Sequence, residues 1–389
     1  MSMAEVPNMY DVIVLGAWIV GSSAAYQSQK SELRTLLLEQ FALGHENGSS
    51  HGGSRVIRHQ YGSLSEYADW MPEAYLEWEH LEQASGEKLL NRTGGTSLFS
   101  KGQSIESDLK NLRSNGVPHA VLTREKAMIK YPMMTFGPEI ENVLEESAMG
   151  ALYADKCLRV IVEQFIARGG VLKVGNPVIS IDENRENGVI TIETEKESFT
   201  GEKLIICAGT WINRLLEPLG KTLDVKITKI TICYWRETDE SRKIPTTQFH
   251  CDANMFLIPE MEHEGCVKFL LHHGHEIEDP EDSKRTDQER RVSIKQDIDC
   301  LQEAVKQKFP FLHPEPEFID HCLYTVSPDN HFVLDKLPGF ENIVVGSAFS
   351  GHGFKMAPVT GKLLKQLAMG EPVKYNLSKM KIQRLLVPV

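Results

Sequence analysis

The stretch YDVIVLGAWIVGSSAAY, Tyr10 to Tyr26, decides the fold that the sequence predicts. A short β-branched strand ends at Gly16, and Gly21 follows five positions later, which is the frame of the dinucleotide fingerprint G-x-G-x-x-G. Trp18 stands where the second glycine belongs, at the point where backbone normally approaches a pyrophosphate. We therefore expect the indole either to clash with a pyrophosphate or to displace the loop.

The following residues complete a βαβ unit. We expect a strand at Asp11–Leu15, a helix at Ser22–Lys30 and a buried strand at Leu33–Glu39. Glu39 lies roughly twenty residues beyond the fingerprint, where an acid that binds a ribose belongs. The unit predicts a bound dinucleotide, and the alternative is a βαβ unit that binds none.

Composition limits the classes of partner. The 389 residues favour two interleaved domains, and 42 basic against 54 acidic residues give a net charge of -12. That charge argues against nucleic acid and acidic membranes as partners. No apolar run reaches the roughly 18 residues of a membrane span, and no basic leader precedes the first apolar run. The seven cysteines include no CxxC pair, which favours a reduced, intracellular protein.

The middle of the chain changes from helical to strand-like patterns. A charged helix is expected at Tyr67–Glu87, and Val171–Asp182 and Val189–Glu195 alternate like antiparallel strands joined by an Asn-Gly turn. Leu204–Cys207 reads as a buried strand beside a cofactor. Near the end, NIVVGSAFSGHGFKMAPVTGKLLKQLA repeats the order of strand, glycine-rich loop and helix.

Two segments rich in small residues also carry positive charge. In GSSHGGSRVIRHQYG, Gly48 to Gly62, His51, Arg55 and Arg58 could meet a carboxylate or phosphate, and the two arginines would share a face if the segment were helical. A solvated basic turn is the alternative.

The second segment, GSAFSGHGFK, ends at Lys355 and contains Gly351 and Gly353. It predicts a loop that cradles a cofactor ring with the lysine near an anion, or else a plain turn between a strand and a helix.

The segments GCVKFLLHHGH and HCLYTVSPDNHFVLD leave more than one interpretation open. Lys268 is either an edge-strand lysine that points outward or a desolvated functional amine. His272, His273 and His275 lack zinc-site spacing, so no metal is predicted. Cys322, considered alone, is more typical of a small core residue than of a nucleophile.

Together these stretches resemble the monomeric sarcosine oxidase family, most closely its animal members, the peroxisomal sarcosine and pipecolate oxidases. The motifs LLLEQF, NGSSHGGSRVIRHQYG, YADK, CYWRE, CLYTVSPDNHFVLD and FSGHGFKMAPVTGK occur in family order over nearly the whole chain. The resemblance implies an α/β fold, with a Rossmann-type FAD-binding domain and an interleaved antiparallel-sheet substrate domain. We assign residues 1–90, 154–224 and 327–389 to the first domain, and 91–153 and 225–326 to the second.

The resemblance also implies roles for individual residues. FAD would be covalently attached through Cys322, Arg58 and Lys355 would bind the substrate carboxylate, and Lys268 would promote the reaction with oxygen. Tyr324 would lie near the substrate and His272 near both substrate and flavin. The remaining cofactor contacts would come from Gly16, Trp18, Gly21, Glu39, His51, Arg55, Gly351 and Gly353.

The implied function is an FAD-dependent oxidase of secondary or N-methyl amino acids, sarcosine, L-pipecolate or similar, that yields an imine or aldehyde and hydrogen peroxide. Its partners would be a small amino acid and oxygen, and the protein would be a monomer. The resemblance implies a peroxisomal location, but Pro388-Val389 ends the sequence without an S-K-L type signal, so the cytoplasm is the alternative.

Departures from the family pattern keep other functions open. Trp18 favours a flavin-deficient pseudoenzyme or binding protein on the same fold. Phe256 lacks the hydroxyl of an aromatic residue that faces the substrate, and Leu257 fills a glycine position, so substrate choice is expected to differ. A dehydrogenase that passes electrons to another acceptor is a third possibility, which Lys268 disfavours.

Overall fold

A computed structural model of the chain describes residues 9–239, 243–250, 254–284 and 288–388. The strands in these ranges are β1 (Met9–Leu15), β2 (Thr35–Leu38), β3 (Ser54–Ile57), β4 (Leu90–Asn91), β5 (Gly95–Ser100), β6 (His119–Thr123), β7 (Ile140–Glu146), β8 (Gly150–Tyr153), β9 (Val171–Lys173), β10 (Val178–Glu183), β11 (Ile190–Thr194), β12 (Ser198–Ile206), β13 (Thr222–Leu223), β14 (Lys226–Arg236), β15 (Thr247–His250), β16 (Met255–Ile258), β17 (Cys266–Leu271), β18 (His275–Ile277), β19 (Phe318–Val326), β20 (Val333–Lys336), β21 (Ile343–Ser347) and β22 (Leu386–Val387). The α-helices are α1 (Ile19–Lys30), α2 (Ser65–Ala68), α3 (Met71–Ser85), α4 (Glu106–Ser114), α5 (Arg124–Lys130), α6 (Ala154–Ala167), α7 (Ile212–Leu216), α8 (Gln288–Lys308) and α9 (Ala357–Met369). Short 3₁₀ turns occur at Gly209–Trp211, Glu217–Leu219, Pro280–Lys284, Phe354–Met356, Ser378–Met380 and Ile382–Leu385.

The first large sheet has a parallel centre. β1 pairs in parallel with β2 on one side and with β12 on the other, and β12 continues in parallel to β21. Val12 and Val14 of β1 face a core that includes α1, α3, α6 and α9, whereas Ile13 and Leu15 face a second core on the opposite side. A strand that is buried on both faces reads as a continuous apolar run, which is why β1 shows no alternation. The Rossmann-type fold is thereby confirmed.

The second large sheet is almost entirely antiparallel. Its order is β18, β14, β17, β16, β15, β5, β7 and β6, with β19 paired to β14. Only the β15–β5 pair among the described strands of this sheet is parallel. One face packs in a core with residues of α5 and α8, and the other face carries Phe256, Leu270 and Cys322 toward the cavity described below. We propose that the two large sheets are the centres of the two domains assigned from the sequence.

Several element boundaries differ from the expectation for a physical reason. The expected helix at Tyr67–Glu87 is split into α2 and α3, because Pro72 lies in the first turn of α3, where its missing N–H is tolerated. The expected strand at Val171–Asp182 is split into β9 and β10 around Gly175, whose φ of +63° ends an extended chain.

The segment with the two arginines is a strand, so the condition for a shared helical face is not met. β3 pairs with β8, and β8 also pairs with β4, which gives a small third sheet. Arg55 lies within β3 and Arg58 follows it directly. The β-branched Val56 and Ile57 between them favour the extended conformation.

No helix in the described ranges is long and apolar enough to cross a membrane.

Candidate active site

The fingerprint turn is built by two glycines that the fold requires. Gly16 has a φ of +96°, and a Cβ there would lie 2.3 Å from the Cys207 carbonyl oxygen. A Cβ on Gly21 would lie 1.9 Å from the Gly16 carbonyl oxygen. Glu39, directly after β2, accepts the Ala17 N–H at 2.9 Å, so the acid stands beside the turn as a ribose-binding carboxylate would.

Three cavities extend from this turn into the second sheet. The first, of about 210 Å³, is lined by Glu39, and the second, of about 90 Å³, is lined by Gly21 and Gly353. The third, of about 560 Å³, opens against strands of the antiparallel sheet. The first and second share Trp18 in their walls, and the second and third share Arg55 and Gly351. The series has the order that an extended dinucleotide would follow.

Trp18 stands between the first two cavities. Its indole packs directly on Gly48, where an added Cβ would lie 2.1 Å from Nε1. The ring meets the His45 ring edge to face at 4.6 Å, and Nε1 is buried without a hydrogen-bond partner among the described residues. Gly16, Gly21 and Glu39 fit the adenosine end of FAD, and the third cavity fits its flavin end. Trp18 lines both of the first two cavities at the place where the sequence predicts the pyrophosphate to pass.

The largest cavity brings together most of the side chains that the sequence analysis selected. Its wall includes Arg55, Arg58, Lys268, His272, Cys322, Tyr324, Gly351 and Lys355. No aspartate or glutamate of the described chain lines it. Four basic side chains around one cavity without an acid make a site that suits an anion.

Arg58 and Lys355 are two basic groups of the cavity wall. The Arg58 guanidinium lies 4.1 Å from the Phe249 ring centre, and no ion pair of Arg58 or Lys355 occurs among the described residues. Lys355 is buried, and its ammonium lies 5.2 Å from the Tyr61 ring centre. Burial and the nearby Arg58 charge lower the Lys355 pKa to about 7.

Lys268 is a buried amine and not an edge-strand lysine. β17 lies between β14 and β16, and Lys268 is 4% exposed. Burial lowers its pKa, and the charge of Glu262 opposes that effect. Glu262 accepts a hydrogen bond from the Lys268 ammonium at 2.8 Å. This residue was not selected from the sequence.

His272 and Tyr324 share a hydrogen bond in the cavity wall, with Oη 3.3 Å from Nδ1. Burial, together with the charges of Lys355 and Arg58, lowers the His272 pKa to about 3, so the imidazole is neutral at neutral pH. Burial raises the pKa of Tyr324, so its hydroxyl keeps its proton. The site therefore offers neutral hydrogen-bonding groups beside the two cations.

Cys322 and Gly351 both line the cavity. Cys322 in β19 is buried beside Lys268 and Arg55, whose charges partly offset the rise in the thiol pKa that burial causes. Gly351 has a φ of +77°, and a Cβ there would lie 2.4 Å from the Tyr324 ring. A side chain at Gly351 would therefore intrude on the wall that Tyr324 forms.

Two residues named from the sequence, His51 and Leu257, lie outside the walls of these three cavities. His51 lines none of these three cavities: its Nδ1 bonds to the Gly48 carbonyl at 2.9 Å, and its Nε2 lies 3.8 Å from an Asp320 carboxylate oxygen. Leu257 does not face the substrate side, because alternation along β16 directs Phe256 to the cavity and buries Leu257 in the opposite core.

The histidine cluster does not form a metal site. Among the described residues, no group of three or more His, Cys, Asp or Glu side chains could hold a metal ion. His275 instead lies 3.0 Å from the Asp297 carboxylate.

Comparisons with known proteins agree with this arrangement. The family model described as DAO, FAD dependent oxidoreductase, matches residues 11–367. The peroxisomal sarcosine oxidase of Homo sapiens is 37% identical over 391 residues, and the match covers 98% of each chain. The monomeric sarcosine oxidase of Arthrobacter sp. is 30% identical, with 96% of each chain covered. Among solved structures, the open form of NikD, an unusual amino acid oxidase of nikkomycin biosynthesis, has a TM-score of 0.81 at 20% identity and covers 96% of this chain and 98% of its own. None of these matches supports the alternative of a flavin-deficient pseudoenzyme.

Proposed function

Because the chain belongs to the sarcosine oxidase family of FAD-dependent oxidoreductases, we propose that it oxidises the CH–NH bond of a secondary or N-methyl amino acid, such as sarcosine or L-pipecolate. The substrate loses two electrons and two protons and becomes an imine, which water can hydrolyse to an aldehyde. FAD, when bound, supplies the two-electron acceptor and passes the electrons to oxygen, which leaves as hydrogen peroxide.

The observation that carries this proposal is the set of four basic side chains around a cavity without an acid. Arg58 and Lys355 would hold the substrate carboxylate, and binding the carboxylate at two points orients the amine and its neighbouring C–H bond. The neutral His272 and the protonated Tyr324 would contact the amine without adding charge. A substrate amine can therefore lose its proton there without a nearby carboxylate to hold it.

The wall opposite these residues would serve the cofactor and oxygen. Cys322 would hold the flavin covalently, and Arg55 would lie along it. The Lys268 ammonium would stabilise the negative charge that oxygen acquires during reduction. Glu39 would bind the adenosine ribose at the far end.

We further propose that the chain acts as a monomer in the peroxisome. The relatives that support this are named monomeric sarcosine oxidase in Arthrobacter sp. and peroxisomal sarcosine oxidase in Homo sapiens and Mus musculus. The remaining alternative in chemistry is a dehydrogenase that uses another electron acceptor. The yield of peroxide per substrate oxidised separates the two, since an oxidase gives one peroxide for each substrate.

The test starts from the visible absorption spectrum of the purified protein before and after acid precipitation. We expect a flavin band that stays with the precipitate, and peroxide release with sarcosine or L-pipecolate. Dimethylamine, which lacks the carboxylate, is the matched control substrate and should be oxidised poorly. A colourless protein, or a flavoprotein that forms no peroxide with any secondary amino acid, would overturn the proposal.

A further inference from the structure

Glu262 carries a largely buried carboxylate, with 9% of its side chain exposed, that accepts hydrogen bonds from four donors. Its oxygens accept the Gly53 N–H at 2.7 Å, the Tyr234 hydroxyl at 2.7 Å and the Lys268 ammonium at 2.8 Å. The Ser54 hydroxyl also donates to it. Two carboxylate oxygens offer about four lone-pair directions, so the group is fully satisfied as an anion. Burial alone would raise its pKa, but the Lys268 charge and these hydrogen bonds lower it to about 2.

Lys268 depends on this anion. Its side chain is 4% exposed, and Glu262 is its only carboxylate partner in the described part of the chain. The other close oxygens are the Ser54 carbonyl and hydroxyl, both at 3.4 Å. A buried amine without a counter-ion loses its proton easily, and the charge of Arg55 adds to that tendency.

Glu262 also fixes where the ammonium stands. Gly53 directly precedes β3, and Ser54 begins this strand, which also carries Arg55. The carboxylate therefore connects β3 to β17 of the second sheet. A Cβ on Gly53 would lie 2.6 Å from Glu262 Cγ, so the glycine leaves room for this contact. The Lys268 side chain is thus anchored on one side and lines the cavity on the other.

We propose that Glu262 is a positioning residue for the oxygen step: it holds the Lys268 ammonium protonated and directed into the cavity. This inference rests on the proposed function for its link to oxygen, and it adds a residue for which the sequence predicted no role. Glu262 does not line the cavity, so it acts through Lys268 and not on the substrate. The charge that oxygen acquires as it takes up two electrons from the reduced cofactor is then met by a fixed positive group.

The test compares Glu262→Gln with Glu260→Gln in the holoenzyme. Glu260 lies two residues away and pairs with Lys243 at the surface, so it is a matched control. The cofactor is reduced chemically with dithionite, and reoxidation by oxygen is followed from pH 6 to pH 9. We expect Glu262→Gln to slow reoxidation at least tenfold at pH 8. The pH above which the reoxidation rate falls should also be at least one pH unit lower than in wild type. Reduction by substrate, measured without oxygen, should change less than twofold.

A double variant and a stability measurement distinguish an effect through Lys268 from a general loss of structure. Glu262→Gln combined with Lys268→Met should reoxidise no more slowly than Lys268→Met alone, because the carboxylate acts only through the amine. In urea unfolding, the midpoint of Glu262→Gln should rise with pH relative to the double variant. The folded amine is then neutral while the unfolded amine is still charged, so unfolding requires proton uptake.

Several results would contradict the proposed role of Glu262. A Glu262→Gln protein with wild-type reoxidation and wild-type pH dependence would overturn the inference, and so would equal losses in both half-reactions. If Glu262→Gln does not fold, Tyr234→Phe, which removes one hydrogen bond to the carboxylate, should shift the pH above which reoxidation slows the same way by a smaller amount, and no shift would overturn the inference. If substrate oxidation fails in wild type, the proposed function falls, but the dithionite experiment still tests the pair.

Discussion

Lys355 is the residue whose charge state should dominate the pH dependence of substrate binding. Burial and Arg58 lower its pKa to about 7, so the free enzyme carries the charge below pH 7 and loses it above. Binding of a carboxylate requires the charged form, and kcat/KM should therefore fall as pH rises above about 7, by at most tenfold per unit. The same limb should appear in the inhibition constant of propionate, which has no amine to titrate.

A substitution at Lys355 checks this assignment. Lys355→Arg keeps the charge, so kcat/KM should no longer fall as the pH rises above about 7. Lys355→Met should raise KM about tenfold or more, since a hydrogen bond to a charged group contributes roughly 1.5–3 kcal/mol. Lys365→Met, on the following helix α9 and paired with Glu371, is the control. If kcat/KM of Lys355→Arg still falls above about pH 7, the group that titrates is not Lys355.

Cys322 is the cysteine expected to hold the flavin. Of the six described cysteines, it alone lines the largest cavity, where it stands beside Arg55 and Lys268. Cys322→Ser should still bind FAD, but acid precipitation should release all of it, with no flavin fluorescence on a denaturing gel. Cys300→Ser, at an exposed position on α8, should keep its flavin in the precipitate. Retained flavin in Cys322→Ser would place the linkage elsewhere.

Where a residue type carried its own signal, the sequence selected side chains that the structure brings to one cavity. A lysine inside an apolar strand and glycines before Lys355 are unusual enough to indicate a site. Glu262 was missed because it stands in the acidic run EMEHEG, which is typical of a solvated turn, and its partner Ser54 lies 208 positions away. Only the tertiary structure shows that this carboxylate is buried.

At the scale of elements, the βαβ order of the first unit was predictable from the sequence, but the directions of some side chains were not. A shared face for Arg55 and Arg58 was conditional on a helix, and the β-branched pair between them favours the strand that the structure shows. Leu257, which fills a glycine position of the family pattern, packs in the opposite core, because Phe256 before it faces the cavity. The direction of each side chain depends on the type of element, which the spacing of residues alone does not give.

The turn between β1 and α1 should control how readily FAD enters. Trp18 lines both of the first two cavities, so we expect the free chain to bind FAD only in the fraction of molecules whose indole has moved. In a Cys322→Ser background, Trp18→Gly should bind FAD about tenfold tighter, or ~1.4 kcal/mol. Trp18→Phe, which keeps a ring, should change affinity much less. Equal FAD titration curves for all three proteins would show that the indole offers no obstacle.

At the scale of the whole molecule, the cavity series connects the two sheets. The Glu39 end belongs to the parallel sheet, and the large cavity is lined by β14, β16, β17 and β19 of the antiparallel sheet. A ligand that fills all three cavities therefore contacts both sheets and couples their unfolding. This arrangement was implied by the order of motifs along the chain, since the cofactor motifs come from both ends and the lysine strand from the middle.

Removal of FAD should loosen the two sheets unequally. In Cys322→Ser protein stripped of FAD, hydrogen exchange should rise most in β17 and β19, which line the largest cavity, and least in β1, which is buried on both faces. FAD at a thousandfold excess over its Kd should restore protection and add about 4 kcal/mol to the free energy of unfolding. ADP, which can fill only the end beside Glu39, is the matched control and should protect β1 and β2 without protecting β17. Protection of β17 by ADP would mean that the two sheets are already coupled through protein contacts, and that the cofactor is not what joins them.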